Sequence, residues 1–213
     1  GPGSSIDHLR IGFVRTARLM MEGHSQQAID RARECIGYAD REGLVAFRPM
    51  LMYIQARAHL DLGQMQECAS IISAYRVYCS SLGSMGNISY LTLKGIHELF
   101  RCEFKQAATT MGNAVEMLGG TSLTFAHFVI CFVRAQALSE AKLHDAAAED
   151  LRLLFEMAAC MGTALQHHHC LLLEALLAEN RGEREASLLS LGSALALAAD
   201  APLCHFVVWR PAA

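Results

Sequence analysis

Apolar residues recur at three- and four-residue spacing along nearly the whole chain, and short polar or glycine-containing breaks interrupt that rhythm at regular intervals. The pattern predicts amphipathic helices joined by tight turns. The clearest break is Leu60–Ile72, LDLGQMQECASII. Gly63 can take the left-handed backbone that a helix stop needs, Glu67 falls in the next first turn, and small Cys68 opens an apolar run. A helix end, a turn and a helix start fit into this one stretch, and similar corners recur along the chain.

The first helix is expected over Ile6–Glu22, with Ile11, Val14 and Leu19 among its apolar positions, and it breaks at Gly23, His24 and Ser25. Ser25 is the expected N-cap of a second helix that runs through Ala28, Ile29, Ala32 and Ile36 and ends near Gly43. The next pair is Val45–Leu62 and Met65–Leu82, followed by a loop from Gly83 to Asn87. A third pair covers Ile88–Arg101 and Phe104–Leu118, closed by Gly119 and Gly120. Thr121 or Ser122 then caps Leu123–Ala141, which pairs with Asp145–Met161. Gly162 and Thr163 introduce the fifth pair, Ala164–Arg181 and Glu183–Ala199.

Aligning the corners places the small residues Ala28, Cys68, Ala107, Ala146 and Ala186 in one column, at separations of 40, 39, 39 and 40 residues. A fixed internal period in this range marks a helical solenoid, in which a hairpin too thin to bury both faces stacks on its neighbours. A small residue is needed where the second helix of a hairpin crosses the first closely. The period is longer than the tetratricopeptide repeat of about 34 residues and near the HEAT range. The corner chemistry favours the former: small and apolar residues before the turn, glycine at it, then a polar or acidic residue and Ala or Cys. The expected fold is all-α, a right-handed superhelix of about five antiparallel helical hairpins, tetratricopeptide-like with a period of 39–40.

Composition supports a large core, with 53% hydrophobic residues and only four prolines in 213. Residues 1–4, Gly-Pro-Gly-Ser, read as an expression-tag scar, 5–200 as the repeat domain and 201–213 as a C-terminal capping segment. No apolar run reaches the roughly 18 residues of a membrane span, so no membrane partner is expected. The formal charge of −3 and the absence of a basic run argue against direct nucleic acid contact. Cys35, Cys68, Cys79, Cys102, Cys131, Cys160, Cys170 and Cys204 are spread without a CxxC pair. They read as reduced packing thiols of a cytoplasmic protein.

The phrases QARAHLDLGQMQECASII, AQALSEAKLHDAAAEDLRLLF and EALLAENRGEREASLLSLGSALALA resemble the helical repeats of large bacterial signal-transduction ATPases. These are the MalT-like (STAND) transcriptional regulators, some with LuxR-type DNA-binding ends. The closing HFVVWRPAA is similar to the segment that ends the repeat array in many of them. In that family the array follows a nucleotide-binding module and receives an inducer or a regulatory protein, and the resemblance implies the same role here.

No GxxxxGK[ST], HExxH, GxSxG or GxGxxG motif occurs, and no enzyme activity or cofactor is expected. His167, His168 and His169 are adjacent, so on a helix they fan out over more than half the circumference and cannot converge on one metal. His127 and Cys131 share a face at i, i+4, without a matching second pair. Asn87-Ile88-Ser89 matches a glycosylation sequon that a cytosolic chain would not use.

A recurring stripe lies on the first helix of each hairpin, the helix that lines the groove of tetratricopeptide arrays. Tyr53 and Arg57 form one; Tyr90, Lys94, His97 and Arg101 the next; then His127 and Arg134; then His167, Glu174 and Arg181. Stacked, they would form a mildly basic, aromatic-containing surface suited to an anionic inducer or an acidic peptide. The plain alternative is the solvated side of amphipathic helices. Trp209, the single tryptophan, ends an apolar segment read as a cap over the last hairpin, with a docking edge or a self-association patch as alternatives. Two functions follow as expectations. One is a sensor or interaction domain of a transcriptional regulator, its partners a small-molecule inducer or regulatory protein and the parent's other domains. The other is a scaffold that self-associates or assembles a complex.

Overall fold

The computed structural model describes residues 4–79, 82–119 and 125–200. Among them are ten α-helices: α1 Ser5–Met21, α2 Ser25–Arg41, α3 Arg48–Asp61, α4 Met65–Cys79, α5 Gly83–Phe100, α6 Phe104–Leu118, α7 Phe125–Glu140, α8 His144–Met161, α9 Ala164–Arg181 and α10 Arg184–Asp200. A 3-10 turn, Val45–Phe47, precedes α3, and Pro49 sits in the first turn of α3, where its missing N–H costs nothing. The chain divides into two compact units, residues 1–93 and 94–213.

One turn is built five times. In each hairpin the first helix ends on a residue with left-handed backbone: Gly23, Gly63, Cys102, Lys142 and Gly182, with φ of 77°, 70°, 63°, 63° and 80°. The amide of the following residue, His24, Gln64, Glu103, Leu143 or Glu183, donates to the carbonyl five residues back at 2.8–2.9 Å. This closes the orphan carbonyls of the helix end without a side-chain cap. That same residue's carbonyl accepts the first bond of the second helix, from Ala28, Cys68, Ala107, Ala147 or Ser187.

These five donors are the buried small column, each at most 9% exposed. The column expected from sequence is therefore displaced by one residue in the last two hairpins, because Ala146 and Ala186 face solvent and Ala147 and Ser187 face the core. Ser25 is also reassigned. His24 holds the cap position, and the Ser25 hydroxyl instead donates to Asp61 at 3.3 Å. Residues 83–87, expected as a loop, form the first turn of α5. There Gly86 lies so close to α4 that a Cβ would sit 2.3 Å from the Cys79 carbonyl oxygen. Thr121 and Ser122, proposed caps of α7, and the segment 201–213 lie outside the described residues.

Cys102 and Lys142 occupy the left-handed position at a steric cost of roughly 1–2 kcal/mol. Lys142→Gly is expected to raise stability by about 0.5 kcal/mol once the extra chain entropy of glycine is set against the relieved strain. Gly63→Ala should lower it by about 1 kcal/mol; urea melts of the two variants read both signs.

In unit 1, α1 packs on α2 and α3, α2 on α3, and α3 on α4. Its core gathers Leu9, Cys35, Ala39 and Leu51, with Ala28, Ile29 and Ala58 as a second cluster. Ile11 and Val14 were expected on the apolar side of α1, but they are 53% and 62% exposed. Leu9, Gly12 and Thr16 form the buried face instead, because α2 and α3 reach only one side of the helix. In unit 2, α6 packs on α7, α7 on α8 and α9, α8 on α9, and α9 on α10. The core there runs through Phe128, Cys131, Phe132, Leu151, Leu154, Met157, Cys170 and Leu173. Within each unit a first helix therefore touches its own partner and the first helix of the next hairpin, which is the contact rule of stacked repeats.

Candidate functional site

The first helices of the middle hairpins carry long buried stretches. In α3 every residue from Leu51 to Leu60 except Tyr53 is buried, and from Gly95 to Phe100 α5 is buried throughout. A helix covered on three sides has no wide solvent face, and this decides where the expected stripe residues lie.

In unit 1, Tyr53 is half-buried with its ring 6.5 Å from that of Tyr75, and Tyr90 is half-buried beneath the Arg76 guanidinium at 5.8 Å. Arg57 is only 6% exposed, and its Nε has no hydrogen-bond acceptor among the described residues. In unit 2, Lys94 reaches solvent while pairing with Glu98 at 3.4 Å, and Arg101 is exposed and pairs with Glu103 at 3.0 Å. His97 and His127 are buried.

Arg134 makes a two-pronged ion pair with Asp150, joining α7 to α8 through Nε–Oδ2 at 2.7 Å and a second contact from Nη2 to Oδ1. That hydrogen bond holds the guanidinium charged, above its ordinary range. His167 is exposed, its ring edge-on to Phe155 at 5.5 Å, and Glu174 accepts from Ser190 at 2.8 Å. Arg181 donates to the His144 carbonyl at 3.0 Å and lies 3.7 Å from Asp145.

The stripe is thus not one kind of residue. Arg57, His97 and His127 belong to the interior, since tertiary packing buries positions that helical spacing alone assigns to solvent. Arg134 is committed to Asp150. Tyr53, Tyr90, Lys94, Arg101, His167 and Glu174 keep solvent contact. Sequence reasoning passed over Asp150, although its position beside Ala147, Leu151 and Leu154 on one helical face marks it as a buried carboxylate in need of a cation. It also passed over Glu98, 3% exposed, whose Oε1 takes Lys94 and the Gln106 amide.

His167, His168 and His169 turn to different partners, although the rings of His168 and His169 meet edge to face at 5.6 Å. His168 Nδ1 lies 2.9 Å from the Ala194 carbonyl, and His169 is buried edge-on to Phe132. Among the described residues no group of three or more His, Cys, Asp or Glu is placed to hold a metal ion, and no helix is long and apolar enough to cross a membrane.

Cys35, Cys68, Cys79, Cys131, Cys160 and Cys170 are free thiols. Burial raises the thiols of Cys68 and Cys170 to about 12 and that of Cys131 to about 11, and also raises Cys35 and Cys79. Since the thiolate is the nucleophile, these five should resist maleimide at pH 8 in the native state while exposed Cys102 and Cys160 react. Peptide mapping after a short pulse checks this. The same shifts make alkali destabilising: the stabilisation is full below the ordinary thiol value of 9.0 and is lost as pH rises toward the folded values.

No family model matches the chain, and no curated protein matches it. Among solved structures, it is similar to a crystal structure described as nearly identical TPR-like repeats of a Podosopora anserina kinesin light chain. The TM-score is 0.64 at 15% identity, over 93% of this chain and 98% of the other. At that identity the likeness speaks for the fold. The chain has the all-α fold of a tetratricopeptide-like helical repeat protein.

Proposed function

We propose that this repeat domain, residues 5–200, is the sensor or interaction domain of a bacterial transcriptional regulator of the MalT-like signal-transduction class, working in the cytoplasm without catalysis of its own. Its partner would be a regulatory protein or an anionic inducer. Two supports meet here: the resemblance of three corner phrases to the repeats of those regulators, and a fold whose identical turns present successive helices in series. Tetratricopeptide-like repeats commonly serve protein interaction, and a series of helix faces suits an extended peptide. The observation that carries the binding assignment is the subset Lys94, Arg101 and His167 in unit 2, polar groups that reach solvent from the first helices α5 and α9.

Ligand binding to the native state raises its melting temperature. A thermal-shift screen of acidic peptides and anionic metabolites should find a ligand that stabilises the wild-type chain and leaves a Lys94→Ala/Arg101→Ala/His167→Ala variant unshifted. A ligand that stabilises both equally, or no anionic ligand at all, counts against this surface.

A self-associating scaffold is the second reading. It is favoured by the exposed Leu188, Leu189 and Leu195 on α10, and by Ile11 and Val14 on α1. Light scattering across a concentration series separates the two, since a monomer that binds an anionic ligand disfavours the scaffold.

A further inference from the structure

The first hairpin carries a stacking column that nothing among the described residues uses. Its places lie twelve and nine positions before each left-handed turn residue. They hold Leu51 and Ile54 on α3, Ile130 and Val133 on α7, and Cys170 and Leu173 on α9, all buried. On α5 they hold half-buried Tyr90 and buried Leu93. In α3 and α9 the column closes the preceding hairpin. Leu51 packs with Leu9 of α1 and with Cys35 and Ala39 of α2. Cys170 and Leu173 join the core that Phe132, Leu151 and Leu154 form on α7 and α8. On α1 the two places hold Ile11 and Val14, and both are exposed.

The face that such a column fills is open on the last hairpin. Ile29, six positions after its turn residue, is 1% exposed and packs with Ala58 of α3, whereas Leu188 at the same place on α10 is 60% exposed. Leu151, nine positions after its turn residue, is buried in the core that α9 completes, and its counterpart Leu191 is exposed. Leu188 and Leu191, with Leu172, Ala175 and Leu176, line an open cleft of about 650 Å³ between α9 and α10.

We propose that α1 of a second copy seats in this cleft, with Ile11 and Val14 in the places that Cys170 and Leu173 take on α7 and α8. This pairing rests on the scaffold reading and supplies its two surfaces. Register selects the occupant: the cleft needs the column that α3, α7 and α9 carry, and among the described residues α1 alone has both members exposed. Charge agrees with register. One turn beyond Val14, α1 brings Arg18 with its partner Glu22, and the cleft wall bears Glu179 and Arg184, so each charge has an opposite one to meet. The contact joins unlike surfaces, so a pair of copies keeps one free α1 and one free cleft, and association continues past the dimer.

In sedimentation equilibrium the weight-average mass of the intact chain should climb past that of a dimer as concentration is raised. Ile11→Asp/Val14→Asp and Leu188→Asp, placed at exposed positions so that far-UV circular dichroism is kept, should each be monomeric alone. An equimolar mixture of the two should form a dimer and nothing larger, because one variant keeps a sound cleft and the other a sound α1. A wild type that is monomeric at every concentration would overturn the proposal and the scaffold reading together, leaving the cleft to another occupant. Association that survives Ile11→Asp/Val14→Asp would overturn the proposal alone, in favour of a contact between two α10 faces. A mixture that stays monomeric would also overturn it.

Discussion

Arg134→Ala is expected to destabilise unit 2 by about 3 kcal/mol, the lower end of the range for breaking a buried ion pair. The cost comes mainly from the partner left behind. The Asp150 side chain is 6% exposed and that of Arg134 24%, so removing the cation strands a buried carboxylate, while removing the carboxylate strands a guanidinium that can still reach water. Asp150→Ala should therefore cost less than Arg134→Ala. Replacing both by apolar residues, Arg134→Met with Asp150→Leu, should recover most of the loss, because an ion pair inside a helical interface gains little over well-packed hydrocarbon. Urea denaturation of the three variants orders them. Equal losses for both single variants would mean that the two charges are equally hydrated.

Phe132→Ala should cost about 3–5 kcal/mol, the range for emptying an aromatic position in a closed core. Phe132 is 1% exposed, packs on Phe128 with ring centroids 6.2 Å apart, and supports His169 of the following hairpin. Leu172 occupies the same repeat position one hairpin later but is only half-buried. Leu172→Ala should cost about 1 kcal/mol, since a lightly covered site loses less transfer energy and leaves no closed cavity. The difference measures what the stacking of a further hairpin adds, and comparable losses at the two positions would deny that α9 is the element that closes the Phe132 site.

Most of the helical layout was legible because each element announces itself twice, by its apolar period and by its turn. Phe104–Leu118 and Ala164–Arg181 follow from sequence to the residue. The small column went astray by one position in the fourth hairpin because HDAAAED offers three consecutive alanines and the turn before it carries Lys142 where glycine would have set the register. With the left-handed residue known, the column lies five positions beyond it in every hairpin. Gly182 could have placed Ser187 by that rule, but a hydroxyl is a weaker sign of burial than a methyl.

The surface was harder to read, and for a physical reason. Periodicity within one helix reports the side facing its own partner. Arg57, His97 and His127 are buried by tertiary packing, which no single-helix pattern contains. The reverse error is possible at a stack end, where Leu188, Leu189 and Leu195 look like core in the sequence and yet face outward.

A forty-residue hairpin is the unit of this fold, stable through its neighbours and separable from the rest. Excising Leu143–Gly182 joins Lys142 to Glu183, keeps the left-handed turn and pairs α7 directly with α10. The shortened chain is expected to keep its far-UV helical signal per residue and to melt in one cooperative transition by circular dichroism, as a repeat array does when one repeat is removed. A broad, non-cooperative melt with strong binding of an apolar dye would contradict the account, because it would show that the hairpins share one indivisible core.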